Sequence, residues 1–480
     1  MFDTLITGGH LLTMSGDGVG FIEHGAIAID RGVIVAVGPE AGIGDRDKAR
    51  RVIDVQGGIV MPGLVDAHLH SSATMGRGWA QEVSPWMASS YGPLMTHAIE
   101  EDAPIWTMLA LMEGVANGTT CFGDYEFPMV ELVKQHVAMG SRAVLCEGVT
   151  ELNWANREQW LADGWKPGDP IPLDRAFGDE SFESELRLFD AWDGNDDGRI
   201  KIIFGPHAAD FISKELLLKV QDEARKRGAA LHLHVAQDDR ENRATEQRYE
   251  LRAIPYLDSI GLLAPDLIAV HLSTALPEEV DLVADRGARM ISCTNSIGII
   301  DGVVPPARQF IERGGILGLG SDQSAGNNSH NIFSEMRATA MFAKIQAGSP
   351  LAIPAWQVLR AATIGGACAL GIGDRIGSLE VGKLADLIVL DTNRPPLAPL
   401  LLRPARNIVP NLVYAETGSN VVLSMVAGRV IYEQGEFTMI DRNAIMQEVA
   451  AATVRFTDRV AADPSVDALP IVELSRTGRH

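Results

Sequence analysis

The segment Gly63-Leu64-Val65-Asp66-Ala67-His68-Leu69-His70 joins a short apolar run to a His-x-His pair. Side chains two positions apart on a β-strand point to the same face, so both imidazoles could bind one metal ion. An isolated His-x-His pair is a weak signal, but this pair closes an apolar strand. The active sites of (β/α)8 barrels lie at the C-terminal ends of their strands. The segment therefore predicts a metal site at the end of a barrel strand.

Apolar strands alternate with amphipathic helical patterns from this segment onward. Strands separated in most cases by helices are what a (β/α)8 barrel needs. The eight candidate strands are Gly63–Asp66, Thr119–Gly123, Arg142–Glu147, Lys201–Gly205, Ala230–His234, Leu267–His271, Arg289–Cys293 and Ile316–Gly320. The stretch Asn153–Ser184 carries tryptophans, prolines and many charges without a clear period, which predicts an elaborated loop over the mouth of the barrel.

Both ends of the chain are rich in β-forming residues. Runs such as Thr4–Thr7 and Ala26–Asp30 precede the barrel, and Asp386–Asp391 and Asn420–Val426 follow it. We therefore expect an α/β fold, a TIM barrel with a small β-sandwich domain formed from both chain ends. The expected boundaries are 1–61 for the first part of the sandwich, 62–385 for the barrel, 386–440 for the second part, and 441–480 for a C-terminal helix followed by a loose tail.

Other metal-binding residue types stand at the ends of further predicted strands. Leu231-His232-Leu233-His234 repeats the first pattern, His271 closes the strand after it, and Asp322 follows Gly318-Leu319-Gly320-Ser321. Any one of these residues could be a buried polar side chain with an ordinary hydrogen-bond partner. Such groups at the ends of four separate strands favour a metal centre instead.

These motifs resemble the amidohydrolase superfamily, in particular its branch of adenosine-type and guanine deaminases and triazine amino- and chlorohydrolases. The resemblance spans almost the whole chain. The matching stretches are Met61–His70, Gly118-Thr119-Thr120, Gly205-Pro206-His207, Ala269-Val270-His271, Gly320-Ser321-Asp322, Asn327-Asn328 and Ile376–Asp386. The family implies the barrel fold, a hydrolase that acts on carbon–nitrogen bonds other than peptide bonds, and a metal-activated water.

The resemblance also implies residue roles. One divalent ion per chain, zinc in the first place with iron, manganese or cobalt as alternatives, would be bound by His68, His70, His234 and Asp322. Asp322 would also take the proton of the attacking water, and His271 would orient that water. The resemblance also places His207 in contact with the substrate. Gln237, Arg77, Trp86 and His330 are further candidates for substrate contacts because of their positions in the chain. Lys201 opens the fourth strand, near the carboxylated lysine of the binuclear branches, but we favour a site with one metal.

The substrate side departs from the deaminase pattern. Gln237 stands where the deaminase branch has the glutamate that carries a proton to the substrate ring, and an amide cannot do this. Two chemistries therefore stay open. One is removal of an amino or halide group from a cyclic or aromatic nitrogen compound. The other is cleavage of an open-chain amide, urea or carbamate. A non-catalytic binding relative is a further alternative.

Composition limits the partners of the protein. The formal net charge of −22 argues against a nucleic-acid binder, which normally carries a basic face. Four scattered cysteines without a CxxC pair fit a reducing cytoplasm. We find neither a leader sequence nor an apolar run long enough to cross a membrane. We expect a cytoplasmic enzyme for a small-molecule substrate, assembled as a homodimer or a larger homo-oligomer.

Overall fold

The computed structural model describes residues 1–166 and 169–479. Its strands fall into three hydrogen-bonded sheets. In chain order the strands are β1 Phe2–Leu12, β2 Phe21–Asp30, β3 Val33–Pro39, β4 Ala49–Asp54, β5 Ile59–Pro62, β6 Leu64–His70, β7 Thr119–Glu126, β8 Arg142–Val149, β9 Ile200–Ile202, β10 Gly205–Pro206, β11 Leu231–Val235, β12 Leu267–His271, β13 Arg289–Ser292, β14 Leu317–Leu319, β15 Asp322–Gln323, β16 Leu387–Leu390, β17 Val421–Val426, β18 Arg429–Glu433 and β19 Glu436–Phe437.

The two ends of the chain share one nine-stranded sheet. Its order is β19-β18-β17-β16-β5-β1-β2-β3, with β4 paired to β1. The junction is the antiparallel pair of β5 and β16, in which Pro62 lies opposite Leu387. Apolar residues such as Ile27 and Met425 are fully buried on this sheet. The late strands therefore pair directly with the early ones.

The parallel strands follow one another in chain order. One sheet pairs β15, β6, β7 and β8, with β9 and β10 both on β8, and another pairs β11, β12, β13 and β14. Isolated parallel bridges from Phe204 to Leu231 and from Ala208 to His234 connect the two sheets. The last strand, β15, pairs with the first, β6. The fold is thus α/β with parallel sheets, and the carboxyl ends of their strands lie at one end.

Helices follow most of the parallel strands. For example, the Ser213 side chain accepts a hydrogen bond from the Leu216 N–H at the start of α8, and Gly228 ends that helix with a φ of +67°. The helices are α1 Glu40–Ile43, α2 Gly92–Met95, α3 Ala103–Ala116, α4 Met129–Met139, α5 Arg157–Ala162, α6 Arg175–Trp192, α7 Asn195–Gly198, α8 Lys214–Arg227, α9 Asp239–Tyr249, α10 Ala253–Ser259, α11 Pro277–Asp285, α12 Thr294–Ile300, α13 Ala307–Glu312, α14 Ser324–Asn327, α15 Ile332–Ala347, α16 Ala355–Arg360, α17 Gly366–Ala369, α18 Ile408–Tyr414, α19 Arg442–Ala461 and α20 Pro470–Arg476. Within the described residues, no helix is long and apolar enough to span a membrane.

The stretch predicted as a loop over 153–184 contains helical structure. The short helix α5 lies within it, and α6 begins at Arg175, so the loop prediction was wrong for those parts. Asp174 accepts a hydrogen bond from the Phe177 N–H and starts α6, whose Phe182 and Leu188 are buried. The many charges on the exposed face of α6 hid this pattern in the sequence. Pro167 and Gly168, also part of the predicted loop, lie outside the described residues.

The C-terminal tail is ordered by packing. The predicted C-terminal helix is α19, and a short 3-10 helix, Pro464–Ala468, and α20 follow it. Val466, Leu469 and Ile471 are buried in an apolar cluster that includes Trp86. The prediction of a loose tail was therefore wrong through Arg476, because these three side chains cover the segment that carries Trp86. His480, the last residue of that predicted tail, lies outside the described part.

Candidate metal centre and substrate pocket

The strand ends bring four imidazoles and one carboxylate together. His68 and His70 come from the end of β6, His234 from β11, His271 from the end of β12, and Asp322 from the start of β15. Asp322 Oδ1 lies 3.7 Å from His68 Nε2 and 3.6 Å from His70 Nε2. His234 Nε2 lies 3.3 Å from His70 Nε2. The residues that the sequence singles out as metal ligands therefore converge on one point.

The cluster fits a divalent cation. Two groups of potential ligand atoms, one from His68, His234 and His271 and one from His68, His70 and Asp322, each lie within 4.8 Å of one another. Among residues 1–166 and 169–479, His68 Nε2 and both ring nitrogens of His271 find no hydrogen-bond partner although they are buried. A buried polar atom without a partner costs about 1–3 kcal/mol. A cation bound by these nitrogens would remove part of this cost.

Backbone carbonyls orient two of the imidazoles. His70 Nδ1 donates to the Tyr125 carbonyl at 2.7 Å, and His234 Nδ1 donates to the His207 carbonyl at 2.8 Å. A proton on Nδ1 leaves the lone pair of Nε2 free for a metal. His68 Nδ1 lies 3.0 Å from His232 Nε2. His232, the first histidine of the second His-x-His motif, therefore helps to orient the His68 ring.

The protonation states also suit metal binding. Burial, together with neighbouring imidazoles, lowers the pKa of His68 and of His234 well below its usual value. Burial lowers the pKa of His271 to about 4, against an opposing effect of Asp322. Burial acts to raise the pKa of Asp322, but the imidazole of His271 and a hydrogen bond from Ser296 contribute to a net lowering. At neutral pH the imidazoles of His68, His234 and His271 are thus neutral, and the carboxylate of Asp322 is ionised.

Ser296 and Ser321 position Asp322. Ser296 Oγ donates to Asp322 Oδ2 at 2.6 Å, and both groups are buried. Asp322 has a left-handed backbone, with a φ of +59°. The preceding residue, Ser321, donates its N–H and its hydroxyl to the carboxylate of Asp66 at 2.9 and 2.5 Å. These contacts fix the chain where the carboxylate enters the site.

His330 lies behind the site, inside the protein. Its Nδ1 is 2.8 Å from Ser321 Oγ, and its Nε2 is 3.1 Å from Thr74 Oγ1. The side chain is fully buried. We predict from the sequence that His330 contacts the substrate, whereas these two contacts are those of a residue that positions Ser321.

Arg77, another predicted substrate contact, forms hydrogen bonds with other residues of the protein. Its guanidinium donates to Glu113 Oε2 at 2.6 Å and to the Asn328 carbonyl at 2.7 Å. Glu113 also accepts a hydrogen bond from the His330 N–H at 3.1 Å. This arrangement ties the segment after β6 to the segment after β15.

A cavity of about 180 Å³ lies at the same end of the strands. Its lining includes Trp86 after β6, Trp154 after β8, Asp238 after β11 and Asp301 after β13. Gln237 precedes Asp238 and is half-buried, and its N–H donates to Glu241 Oε2 at 3.3 Å. Two predicted substrate contacts, Trp86 and Gln237, thus lie at or next to this cavity.

His207 and Tyr125 enclose the imidazole cluster from the side of β7 and β10. The His207 ring centroid lies 5.0 Å from that of His234, and burial lowers the pKa of His207 to about 3. The Tyr125 hydroxyl donates to the Gly205 carbonyl at 2.6 Å, and its ring lies 5.0 Å from His234. Sequence reasoning missed Tyr125, because an aromatic residue in a buried strand has the pattern of an ordinary core residue.

Lys201 lies away from the imidazole cluster. It lies in β9, and its Nζ donates to the Gly371 carbonyl at 3.2 Å. The imidazoles come from the opposite, carboxyl ends of the parallel strands. A lysine that bridges two metals would instead have to reach that end.

Comparisons with known proteins agree with this geometry. The amidohydrolase family model matches residues 59–431. The 5'-deoxyadenosine deaminase of Methanosarcina acetivorans is 33% identical over 464 residues, which covers 96% of this chain and 100% of that protein. The structure of a zinc-bound adenosine deaminase from Xanthomonas campestris superposes with a TM-score of 0.85 at 30% identity, covering 96% of this chain and 99% of that one. Zinc-bound atrazine chlorohydrolase from Arthrobacter aurescens shares the fold, with a TM-score of 0.80 at 21% identity, covering 94% and 100%. The chain belongs to the amidohydrolase family and is a metal-dependent hydrolase of carbon–nitrogen bonds.

Proposed function

We propose that this enzyme removes an exocyclic amino group from a small cyclic nitrogen compound by hydrolysis, with 6-aminopurine nucleosides as the first substrates to test. The observation that carries the proposal is the convergence of His68, His70, His234 and Asp322 at the carboxyl ends of parallel strands. Deaminases of adenosine-type compounds are among the relatives at 30% identity or more. Their substrates therefore define the test panel.

We also propose the complete architecture. The pairing of β15 with β6 and the bridges between the two parallel sheets support a closed (β/α)8 barrel over 62–385. The nine-stranded sheet supports a β-sandwich domain built from 1–61 and 386–440, with 441–480 as a C-terminal extension.

One zinc ion per chain would be held by the four ligands named above, with iron, manganese or cobalt as possible replacements. Such an ion would lower the pKa of a bound water towards about 7. The unpaired Nε2 of His68 and the ionised carboxylate of Asp322 support this ligand set. The position of Lys201 at the opposite end supports one ion rather than two.

The side chains divide the remaining work. Asp322 accepts the proton of the attacking water and later delivers it to the leaving nitrogen. His271, with both ring nitrogens free of partners among the described residues, orients the water and stabilises the developing negative charge. His207 and Trp86 contact the substrate. Gln237 holds the substrate by hydrogen bonds and moves no proton.

Gln237 is the reason for a second candidate function. Without a carboxylic acid at this position, protonation of a ring nitrogen has no dedicated donor. Cleavage of an open-chain amide, urea or carbamate needs a proton only on the leaving nitrogen, and Asp322 can supply it. The presence of an amide at position 237 therefore favours hydrolysis of an open-chain amide, urea or carbamate.

The test is a substrate screen of zinc-loaded protein in ¹⁸O-labelled water. The panel combines adenosine, 5'-deoxyadenosine and aminotriazines with aryl amides, ureas and carbamates. His68→Asn is the inactive reference, and His24→Asn, at a side chain that is 76% exposed, is the matched control. Release of ammonia with labelled hydroxyl on an intact ring supports deamination. Splitting of a substrate into an amine and an acid supports the second function, and no turnover on the whole panel would overturn both.

We further propose a cytoplasmic homo-oligomer that acts on a small molecule. All four cysteines are free thiols, which supports a reducing compartment. Light scattering after size exclusion measures the subunit number, and a monomer at micromolar concentration would contradict the assembly.

A further inference from the structure

Two chain segments meet beside Asp322 and fix its position. The first is the start of α12, where the Ser296 hydroxyl donates to Asp322 Oδ2 at 2.6 Å. The second is α14, where the side-chain amide of Asn327 donates to the carbonyl of Ser321, the residue before Asp322. The direction of the Asp322 carboxylate therefore depends on how these two segments are held relative to each other.

Glu335 on α15 connects the two segments. Its Oε1 accepts a hydrogen bond from Asn327 Nδ2 at 2.9 Å. Its Oε2 accepts a hydrogen bond from the N–H of Asn295, the residue before Ser296, at 3.1 Å. The Glu335 side chain is fully buried. One buried carboxyl group thus links the serine that contacts Asp322 to the loop that carries Asp322.

The two partners explain why position 335 carries a carboxyl group. Both are N–H donors, so the side chain between them must offer two acceptor oxygens. Glutamine has the same length but only one acceptor oxygen, and its NH2 group would face the second donor. An apolar side chain would avoid the cost of burying a carboxyl group but would leave both donors without this partner. The residue type therefore fits a link between the two segments.

We propose that Glu335 is a positioning residue for the metal centre. By holding Asn295 and Asn327, it keeps the neighbouring serine hydroxyl and the loop of Asp322 in place. Glu335 acts through these residues and not by contact with substrate or metal. The proposal rests on the ligand set of the proposed function, in which Asp322 binds the zinc ion and takes the proton of the attacking water.

The first experiment measures zinc affinity by competition with a fluorescent zinc chelator. Glu335→Ala removes both hydrogen bonds, and we expect it to weaken zinc binding by about 10–100-fold, the usual contribution of groups that orient metal ligands. Glu335→Gln keeps one acceptor oxygen, so its loss of affinity should be smaller. Asn327→Ala tests the same link from its other end and should also weaken zinc binding. These two variants carry the test if Glu335→Ala does not fold.

Cobalt(II) in place of zinc gives a readout that a loss of folded protein alone would not change. The wavelengths of the visible absorption bands of bound cobalt depend on the arrangement of its ligands. We expect Glu335→Ala to shift these bands, because a displaced Asp322 carboxylate changes that arrangement. A smaller folded fraction would lower the intensity of the bands at the same wavelengths. Unshifted bands in Glu335→Ala would contradict the proposal.

The matched control is Glu279→Gln. Glu279 is a buried glutamate on α11, and its two oxygens accept hydrogen bonds from the Leu276 N–H and from Arg252 Nε, each at 2.8 Å. The control therefore loses a buried carboxylate with two donors outside the metal centre. Its zinc affinity and its cobalt spectrum should match those of the unmodified protein.

The outcomes separate this inference from the proposed function. Zinc affinity of Glu335→Ala within about threefold of the unmodified protein, or an equal loss in Glu279→Gln, overturns the positioning role and leaves the ligand set intact. An unmodified protein that does not bind zinc overturns both. With any substrate that the screen identifies, Glu335→Ala at saturating zinc should lower kcat and leave KM nearly unchanged, because Asp322 acts on the water. A raised KM at unchanged kcat would overturn the positioning role.

Discussion

Substitution of Ser296 by alanine tests whether Asp322 is a metal ligand. Ser296 Oγ donates to Asp322 Oδ2 at 2.6 Å inside the protein. A hydrogen bond to a charged group is worth about 1.5–3 kcal/mol, and groups that orient metal ligands typically contribute 10–100-fold in metal affinity. We therefore expect Ser296→Ala to weaken zinc binding by about 10–100-fold. Competition with a fluorescent zinc chelator measures the dissociation constant directly.

The matched control for this experiment is Ser259→Ala. Ser259 Oγ donates to the Tyr256 carbonyl at 2.7 Å on α10, so the control loses a hydrogen bond to a neutral acceptor outside the site. Zinc affinity of the control should stay unchanged. If Ser296→Ala also binds zinc within threefold of the unmodified protein, the reasoning that links this serine through Asp322 to the metal is refuted.

Three other predictions concern proton transfer and stability. Gln237→Glu should raise deamination of a ring substrate by about 100-fold or more, the usual contribution of a general acid, and unchanged ammonia release would favour the open-chain chemistry. Burial raises the pKa of Glu147 to about 7, so its contribution to stability is full below about pH 4.5 and is lost as the pH rises through 7. As the pH rises from 5 to 8, the free energy of unfolding of Glu147→Gln should accordingly increase by about 3 kcal/mol relative to that of the unmodified protein. Urea denaturation measures both proteins at both pH values, and a difference that does not change with pH would contradict this. Arg142 Nε lies 2.6 Å from Asp386 Oδ2 in a buried pair, and Arg142→Met should lower the free energy of unfolding by about 3–5 kcal/mol, as measured by urea denaturation.

The strands and the ligand cluster could be predicted from the sequence because their signals are local. An apolar run that ends in histidine identifies both a strand and the position of its side chains, as at His70 and His271. Parallel pairing then brings such ends together without further information. The same logic failed for α6 and α20, where the deciding factor is burial against distant segments.

The surroundings of the predicted substrate contacts could be predicted less well. Arg77 and His330 have the residue types of ligand-binding groups, yet their partners are Glu113, Thr74 and other protein atoms. Pairing across the fold depends on loop positions that no local pattern encodes.

The nine-stranded sheet has a consequence for synthesis of the protein. The edge of β5 that pairs with β16 must wait for roughly 320 further residues, which takes tens of seconds at about 5–20 residues per second on the ribosome. During this interval the strand exposes unpaired backbone groups next to the apolar residues Ile59 and Val60, which are fully buried in the final structure. The nascent chain thus carries an unpaired strand edge, which can pair with other chains, until translation is almost complete. Its yield in a cell should depend on chaperones that cover this edge.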